Sequence, residues 1–325
     1  MKTFAATLTA MGCALACTFA APAFADRDDH ERHSPKGHGK FQFALIGDTP
    51  YSSVDGFERV LGDINANHKI KFVLHAGDIK NGSSLCSDEM FMDRLNRFNR
   101  FEAPFVFTPG DNEWTDCHRA NNGSYLPLER LSRLREIFFP VAGQTLGRKT
   151  MAVESQGGEF VENVRWSTQK VMFASLHIVG SDNALAPFAT RSAADDNEVA
   201  RRIAATVEWI NGTYAKAIAE NARGVLFVFQ ANPAFEAAVG SSDRKGFDEV
   251  LAAMIEGAKT YGKPVVLSHG DSHYMRIDKP VREAGAAVPN ITRVETFGSA
   301  DYHWLRVEVD PNSAEVFSVH QEVVN

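Results

Sequence analysis

The chain has 325 residues and a formal net charge of −7. A chain of this length can bury one large core, and an acidic balance repels polyanions, which excludes nucleic acid as the main partner. No apolar stretch reaches the roughly 20 residues needed to cross a bilayer, which excludes a membrane span.

Residues 1–25 hold Lys2, an apolar stretch from Phe4 to Cys17, and Ala23-Phe24-Ala25 ahead of Asp26. This is the pattern of an export signal cleaved after Ala25, with a periplasmic or extracellular mature chain; a lipid anchor at Cys17 competes with it. Cleavage would leave 300 residues at a charge of −8, because Lys2 is the one charged residue removed. Residues 26–40 are polar and aperiodic, and read as a disordered leader with His30, His33 and His38 on a solvated tail. Residues 41–325 read as one domain, without an internal repeat or linker. Cys13 and Cys17 fall in the signal, so Cys86 and Cys117 remain, and a lone pair in an oxidising compartment suggests a disulfide.

From Phe41 onward, short apolar runs end in turns and amphipathic stretches follow. Strands are expected at 41–47, 70–77 and 104–110, followed by helices over 54–68, 90–101 and 126–139. Further strands are expected at 171–179, 224–229 and 264–268, with a long helix over 197–221. Two closing strands, 304–309 and about 314–319, have no helix between them and make part of the sheet system antiparallel. Alternation of this kind specifies an α/β fold.

Three successive strands end in Gly-Asp: Gly47-Asp48, Gly77-Asp78 and Gly110-Asp111. One such pair is ordinary turn chemistry, but glycine also lets a backbone approach a ligand, and α/β sheets gather ligand groups at the carboxyl ends of their strands. A fourth run, residues 265–273, ends in Gly270-Asp271 between His269 and His273. Converging like charges call for a cation.

The order of these motifs resembles the calcineurin-like metallophosphoesterase superfamily, whose pattern runs D-x-H, G-D, G-N-H-D/E, a lone His and G-H-x-H. Here it reads Asp48-Thr49-Pro50, Gly77-Asp78, Gly110-Asp111-Asn112-Glu113 and Gly270-Asp271-Ser272-His273, over roughly residues 41–309. Pro50 removes one ligand. Asp111 and Asp271 exchange a ligand for a carboxylate, Gln230 to Asn232 replace the lone His, and Asn112 stands where the family has its catalytic His. An amide cannot supply that proton.

The resemblance implies a sandwich of two mixed β-sheets flanked by helices, and hydrolysis of a small phosphorylated substrate by metal-activated water. It implies metal ligation by Asp48, Asp78, Asp111, Asp271 and His273, and places Asn112 and Glu113 among the catalytic groups. His269 is the favoured substitute ligand or acid, with a structural role equally open, while His75 reads as a buried, hydrogen-bonded residue. Lys80, Arg119 and Arg276 follow the motifs closely enough to hold phosphate oxygens. A donor set this rich in carboxylates suits manganese, magnesium or calcium before zinc or iron, as one or two ions. The competing reading is a degenerate member of the fold that binds a metal and a phosphorylated or acidic ligand without turnover.

Overall fold

The computed structural model describes residues 39–51 and 54–325. The expected signal with its cleavage point at Ala25, the anchor at Cys17, and the leader as far as residue 38 lie outside the described residues. The first half of the domain runs β1 (Phe41–Ile46), α1 (Val54–Ala66), β2 (Ile70–His75), α2 (Asp88–Phe98), β3 (Phe105–Phe107) and α3 (Pro127–Phe138). The second runs β4 (Glu154–Ser155), β5 (Val164–Thr168), β6 (Val171–Ser175), the short turn α4 (Gly180–Ala184), α5 (Ala193–Ala219), β7 (Gly224–Val228), α6 (Asp248–Tyr261) and β8 (Val265–His269). The chain closes with β9 (Arg276–Asp278), β10 (Arg282–Glu283), β11 (Ala286–Ala287), β12 (Ile291–Glu295), β13 (Trp304–Val309) and β14 (Phe317–Glu322).

One sheet has the order β14-β13-β1-β2-β3 and the other β4-β5-β6-β7-β8-β12-β9, with β10 and β11 a separate hairpin. In the first sheet β1, β2 and β3 are parallel, and β13 and β14 join antiparallel. In the second, β6, β7, β8 and β12 are parallel, while β4, β5 and β9 are antiparallel. Both sheets are therefore mixed, as the motif order implies.

Period-two alternation divides each strand between two apolar layers. Phe43 of β1 and Phe72 of β2 face the second sheet, their rings stacked at 5.0 Å, and Phe43 meets Phe173 of β6 edge-on at 5.5 Å. The other faces of these strands pack on helices. Ala44, Ile46 and Val73 lie with Phe57 of α1, Phe91 of α2 and Leu134 of α3, while Val225, Phe227 and Leu267 lie with Trp209 of α5 and Met254 of α6. Strands buried on both faces read as unbroken apolar runs in sequence, which is why they were legible. The long helix starts at Ala193, four residues before the expected boundary, because Ser192 and Asp195 form a reciprocal capping box. Helix α6 and the strands β4, β5, β9 to β12 have no counterpart in the sequence reading.

The parallel strands of both sheets point their carboxyl ends to one edge of the sandwich. β1, β2 and β3 deliver Asp48, Asp78 and Asp111 there, and β7 and β8 deliver Gln230 and Asp271.

Candidate metal centre

Asp78, Asp111 and Asp271 each offer an oxygen, and the three oxygens lie within 4.8 Å of one another. Among the described residues no other group of three ionisable metal-ligating side chains converges in this way. The backbone is shaped for the approach. Asp48, Asp78 and Asp271 hold left-handed φ angles of 51°, 58° and 79°, a conformation that a short polar side chain tolerates. A Cβ on Gly110 would overlap Asp78 Oδ1, and one on Gly270 would overlap Asp48 Oδ2. The Gly-Asp pairs are thus mutual: the glycine of one turn makes room for the carboxylate of another.

Hydrogen bonds fix each carboxylate. Asp78 Oδ2 accepts from Asn112 Nδ2 at 2.8 Å and from the Tyr51 hydroxyl at 3.1 Å, and Asp78 Oδ1 accepts from Asn112 N at 3.3 Å. Asp111 accepts from Ser181 Oγ at 2.7 Å and from Gln230 Nε2 at 3.3 Å. The same Gln230 amide donates to Asp271 at 3.1 Å, while its oxygen accepts from Gly180 N at 2.7 Å. Asp48, fully buried, accepts from the backbone N of Asp271 at 3.0 Å, and His273 Nε2 stands 3.6 Å away.

The electrostatics are those of like charges held together. Burial, and next the charge of Asp111, push Asp271 up to about 7 and hold Asp78 well above the usual carboxylate range. Asp48 is raised by burial and then by Asp271. Burial also lifts Glu113 to about 7 and Asp116 to about 6. Carboxylates in this state are neutralised by protons or by a cation. An all-oxygen triad fits a hard divalent cation.

A model of the calcineurin-like phosphoesterase family matches residues 41–204. The chain belongs to that family. Among solved structures, PhoD is similar with a TM-score of 0.54 at 12% identity, covering 89% of this chain and 72% of that one. The 5'-nucleotidase from Candida albicans gives a TM-score of 0.45 at 11% identity, over 86% of this chain and 50% of that one. GAP50, the anchor in the inner membrane complex of Plasmodium, gives 0.47 at 11%, over 88% and 89%. At such identities PhoD supports the fold alone. Comparison with curated proteins found no match.

Several expected residues take other places. His269 is not at the carboxylates: it shares the face of β8 with Val265 and Leu267, turned toward the helices, with its ring stacked on Phe229 at 5.7 Å and Nδ1 against Gly270 O at 2.8 Å. Burial lowers it to about 3. Strand parity decides this, and parity is readable from residues 265–269. Glu113 is held as a clamp: its carboxylate accepts from the backbone N of Gly110, Asp78 and Ile79 at 2.5, 3.2 and 3.3 Å and ties two Gly-Asp turns together. Lys80 is fully buried, with Nζ donating to the carbonyls of Asn81 and Asn112 at 2.8 Å each, so no phosphate reaches it. Burial lowers it to about 8, and it serves as a fixed counter-charge to Glu113 and Asp78. Arg276 is committed to the buried carboxylate of Glu295.

Arg119 does stand at the site. Its side chain is 44% exposed, pairs with Asp116 at 2.7 Å, and lies with Asn112 against Gly82. Cys86 and Cys117 form the disulfide, with Cα atoms 5.8 Å apart, fastening the loops that follow β2 and β3. His75 is buried as expected, accepting from Gly77 N at 3.1 Å and donating to Thr49 O at 2.6 Å, which ties the first turn to the second.

Two residues at the centre were not anticipated. Tyr51 directly follows the Asp48-Thr49-Pro50 turn, so its nearness to the first motif was an available signal. Ser181 had none beyond a Gly-Ser-Asp-Asn turn after β6. It sits in a left-handed stretch, with Ser181, Asp182 and Asn183 at φ 51°, 58° and 53°, that Arg202 of α5 holds through Asn183 O at 3.0 Å.

Proposed function

We propose that this chain is a metal-dependent phosphoesterase acting on a small phosphorylated substrate. The observation that carries the reading is the convergence of Asp78, Asp111 and Asp271 oxygens within 4.8 Å at the sheet edge. These three residues would hold a hard divalent cation, manganese, magnesium or calcium. Such a cation supplies charge to neutralise phosphoryl oxygens and makes a water a better nucleophile. Arg119, exposed beside Asn112, offers a forked donor for phosphate oxygens, and Asp116 holds it in place. Asn112 directs its amide to Asp78 and orients that carboxylate. Because an amide does not give up a proton, substrates with good leaving groups are favoured.

A second reading, a protein that binds a metal and a phosphorylated ligand without turnover, is favoured by that same amide. A phosphate-release screen over mono- and diesters, run beside elemental analysis of protein purified without added metal or chelator, separates the two. Release dependent on a hard cation supports the enzyme; ligand binding without release supports the second reading, and stoichiometric zinc overturns the hard-ion assignment. We further propose export to an oxidising compartment, a reading that the Cys86–Cys117 disulfide supports.

A further inference from the structure

A carboxylate shared between two ions must offer each of them a free lone pair, with the ions about 3.5–4 Å apart. Asp78 is the residue placed to be shared, since it lies with Asp111 and Asp271, feels the charge of Asp48, and is linked through the Tyr51 hydroxyl to His273. An ionised carboxylate has about four lone-pair sites, two on each oxygen. On Asp78, Oδ2 is taken twice, by the Tyr51 hydroxyl at 3.1 Å and by Asn112 Nδ2 at 2.8 Å. Among the described residues Oδ1 is taken once, by Asn112 N at 3.3 Å, and they leave one position. His273 is equally committed, with Nδ1 against Ser299 O at 2.6 Å and Nε2 against the Tyr51 hydroxyl at 3.0 Å. The Tyr51 ring lies edge-on to the His273 imidazole at 4.9 Å, so the phenol fills the space as well as the hydrogen bonds.

We infer that the Tyr51 hydroxyl occupies the position that Asp48, Asp78 and His273 would otherwise offer to a cation, so that the chain binds one divalent cation, at Asp78, Asp111 and Asp271. Tyr51 is here a neutral substitute for an ion: its oxygen stands between Asp78 and His273, and also accepts from Asn112 Nδ2 at 3.1 Å, where a two-ion centre would have a metal. The inference rests on the cation reading above, but the two fail separately. Hydrolysis can be absent while one ion binds, and two ions can bind while hydrolysis is intact.

The test is manganese titration of the full chain, stripped of metal, by calorimetry, with electron paramagnetic resonance of the loaded protein. One ion per chain, with the six-line spectrum of an isolated Mn(II), is expected. Tyr51→Ala should raise the stoichiometry to two and add a spin-coupled signal. Two ions in the unmodified protein would overturn the inference whether or not the variant folds, and so would no binding at all. A visible phenolate charge-transfer band on loading with ferric iron would also overturn it, by showing that the hydroxyl is itself a ligand. If Tyr51→Ala folds and still binds one ion, the phenol is not what excludes the second.

Discussion

Asp78→Asn tests the charge reading of the centre most directly, because it removes a charge and little else. The left-handed φ of 58° at this position is one that asparagine tolerates, and the amide oxygen can still accept from Asn112 Nδ2 and the Tyr51 hydroxyl. Three oxygens within 4.8 Å repel by about 3 kcal/mol per fully ionised pair at an effective dielectric of about 20. The substitution removes two of the three pairs, and Lys80 already absorbs part of that repulsion. It also loses the weak bond from Asn112 N, at a cost of about 1 kcal/mol. The metal-free variant should therefore be more stable than the parent at pH 8.5, by at most about 5 kcal/mol, the two pairs less the lost bond, and by less as Lys80 offsets it. The sign of the pH effect follows from Asp271. Its folded value, about 7, lies above its ordinary one, so the metal-free parent loses stability as pH rises through about 7 and holds that contribution fully only below about pH 4. The gain from Asp78→Asn should therefore shrink toward pH 5. With the cation present the order should reverse and hydrolysis should fall at least 100-fold. Scanning calorimetry in chelator at the two pH values, beside phosphate release, decides it. A variant less stable than the parent at pH 8.5 in chelator, or one that still hydrolyses, would refute the reasoning.

Glu113→Gln should cost about 2 kcal/mol in denaturant unfolding, because an amide presents a donor to one of the backbone N–H groups that both oxygens now accept from. An unchanged midpoint would remove the clamp. Replacing Cys86 and Cys117 by serine should cost about 3.5 kcal/mol for a closed loop of this length, and alkylation of the unfolded, unreduced parent should label neither thiol. Arg119→Ala should raise KM about 10-fold with a smaller fall in kcat, as expected of a group that binds phosphate in ground and transition states alike. Equal kinetics in the two proteins would leave Asp116 as the reason for Arg119's position.

The legible parts of this molecule are those encoded within a few residues. Each Gly-Asp turn states its own backbone and its own carboxylate, so Asp48, Asp78, Asp111 and Asp271 were identifiable from neighbouring residues and the apolar strand before them. The fold followed from alternation of the same kind, and the first three helices lie within about three residues of expectation. Failures came where a side chain's direction is set by something distant. Lys80 follows its motif by two residues, yet folds back onto the carbonyl of Asn112 across a separation of 32. His269 follows the parity of β8 and not its distance from Asp271. Ser181 reaches Asp111 across a separation of 70, and Arg202 of α5, which holds its turn, is a further element away. Helix α6 was missed because Gly257 interrupts an alanine-rich stretch whose apolar face shows only against the second sheet.

The departures from the family pattern share one physical direction. Where the pattern has imidazoles, this chain places amides at Asn112 and Gln230 and a carboxylate at Asp271, and it fills the neighbourhood of Pro50 with a phenol. Asn112 donates to Asp78, Gln230 donates to Asp111 and Asp271, and Tyr51 donates to Asp78. An amide supplies the hydrogen bond that an imidazole would supply, but neither a positive charge nor, at neutral pH, a proton, and a phenol supplies no positive charge. The geometry of the carboxylates is thereby kept while the task of neutralising them passes elsewhere. Lys80 takes up part of it from beneath the Glu113 clamp, Arg276 is spent on Glu295, and Arg119 pairs with Asp116 and not with the triad, its exposed side left to a phosphate. What remains uncompensated is the triad itself, and its donors, all oxygen, are the ground on which a hard cation is proposed there.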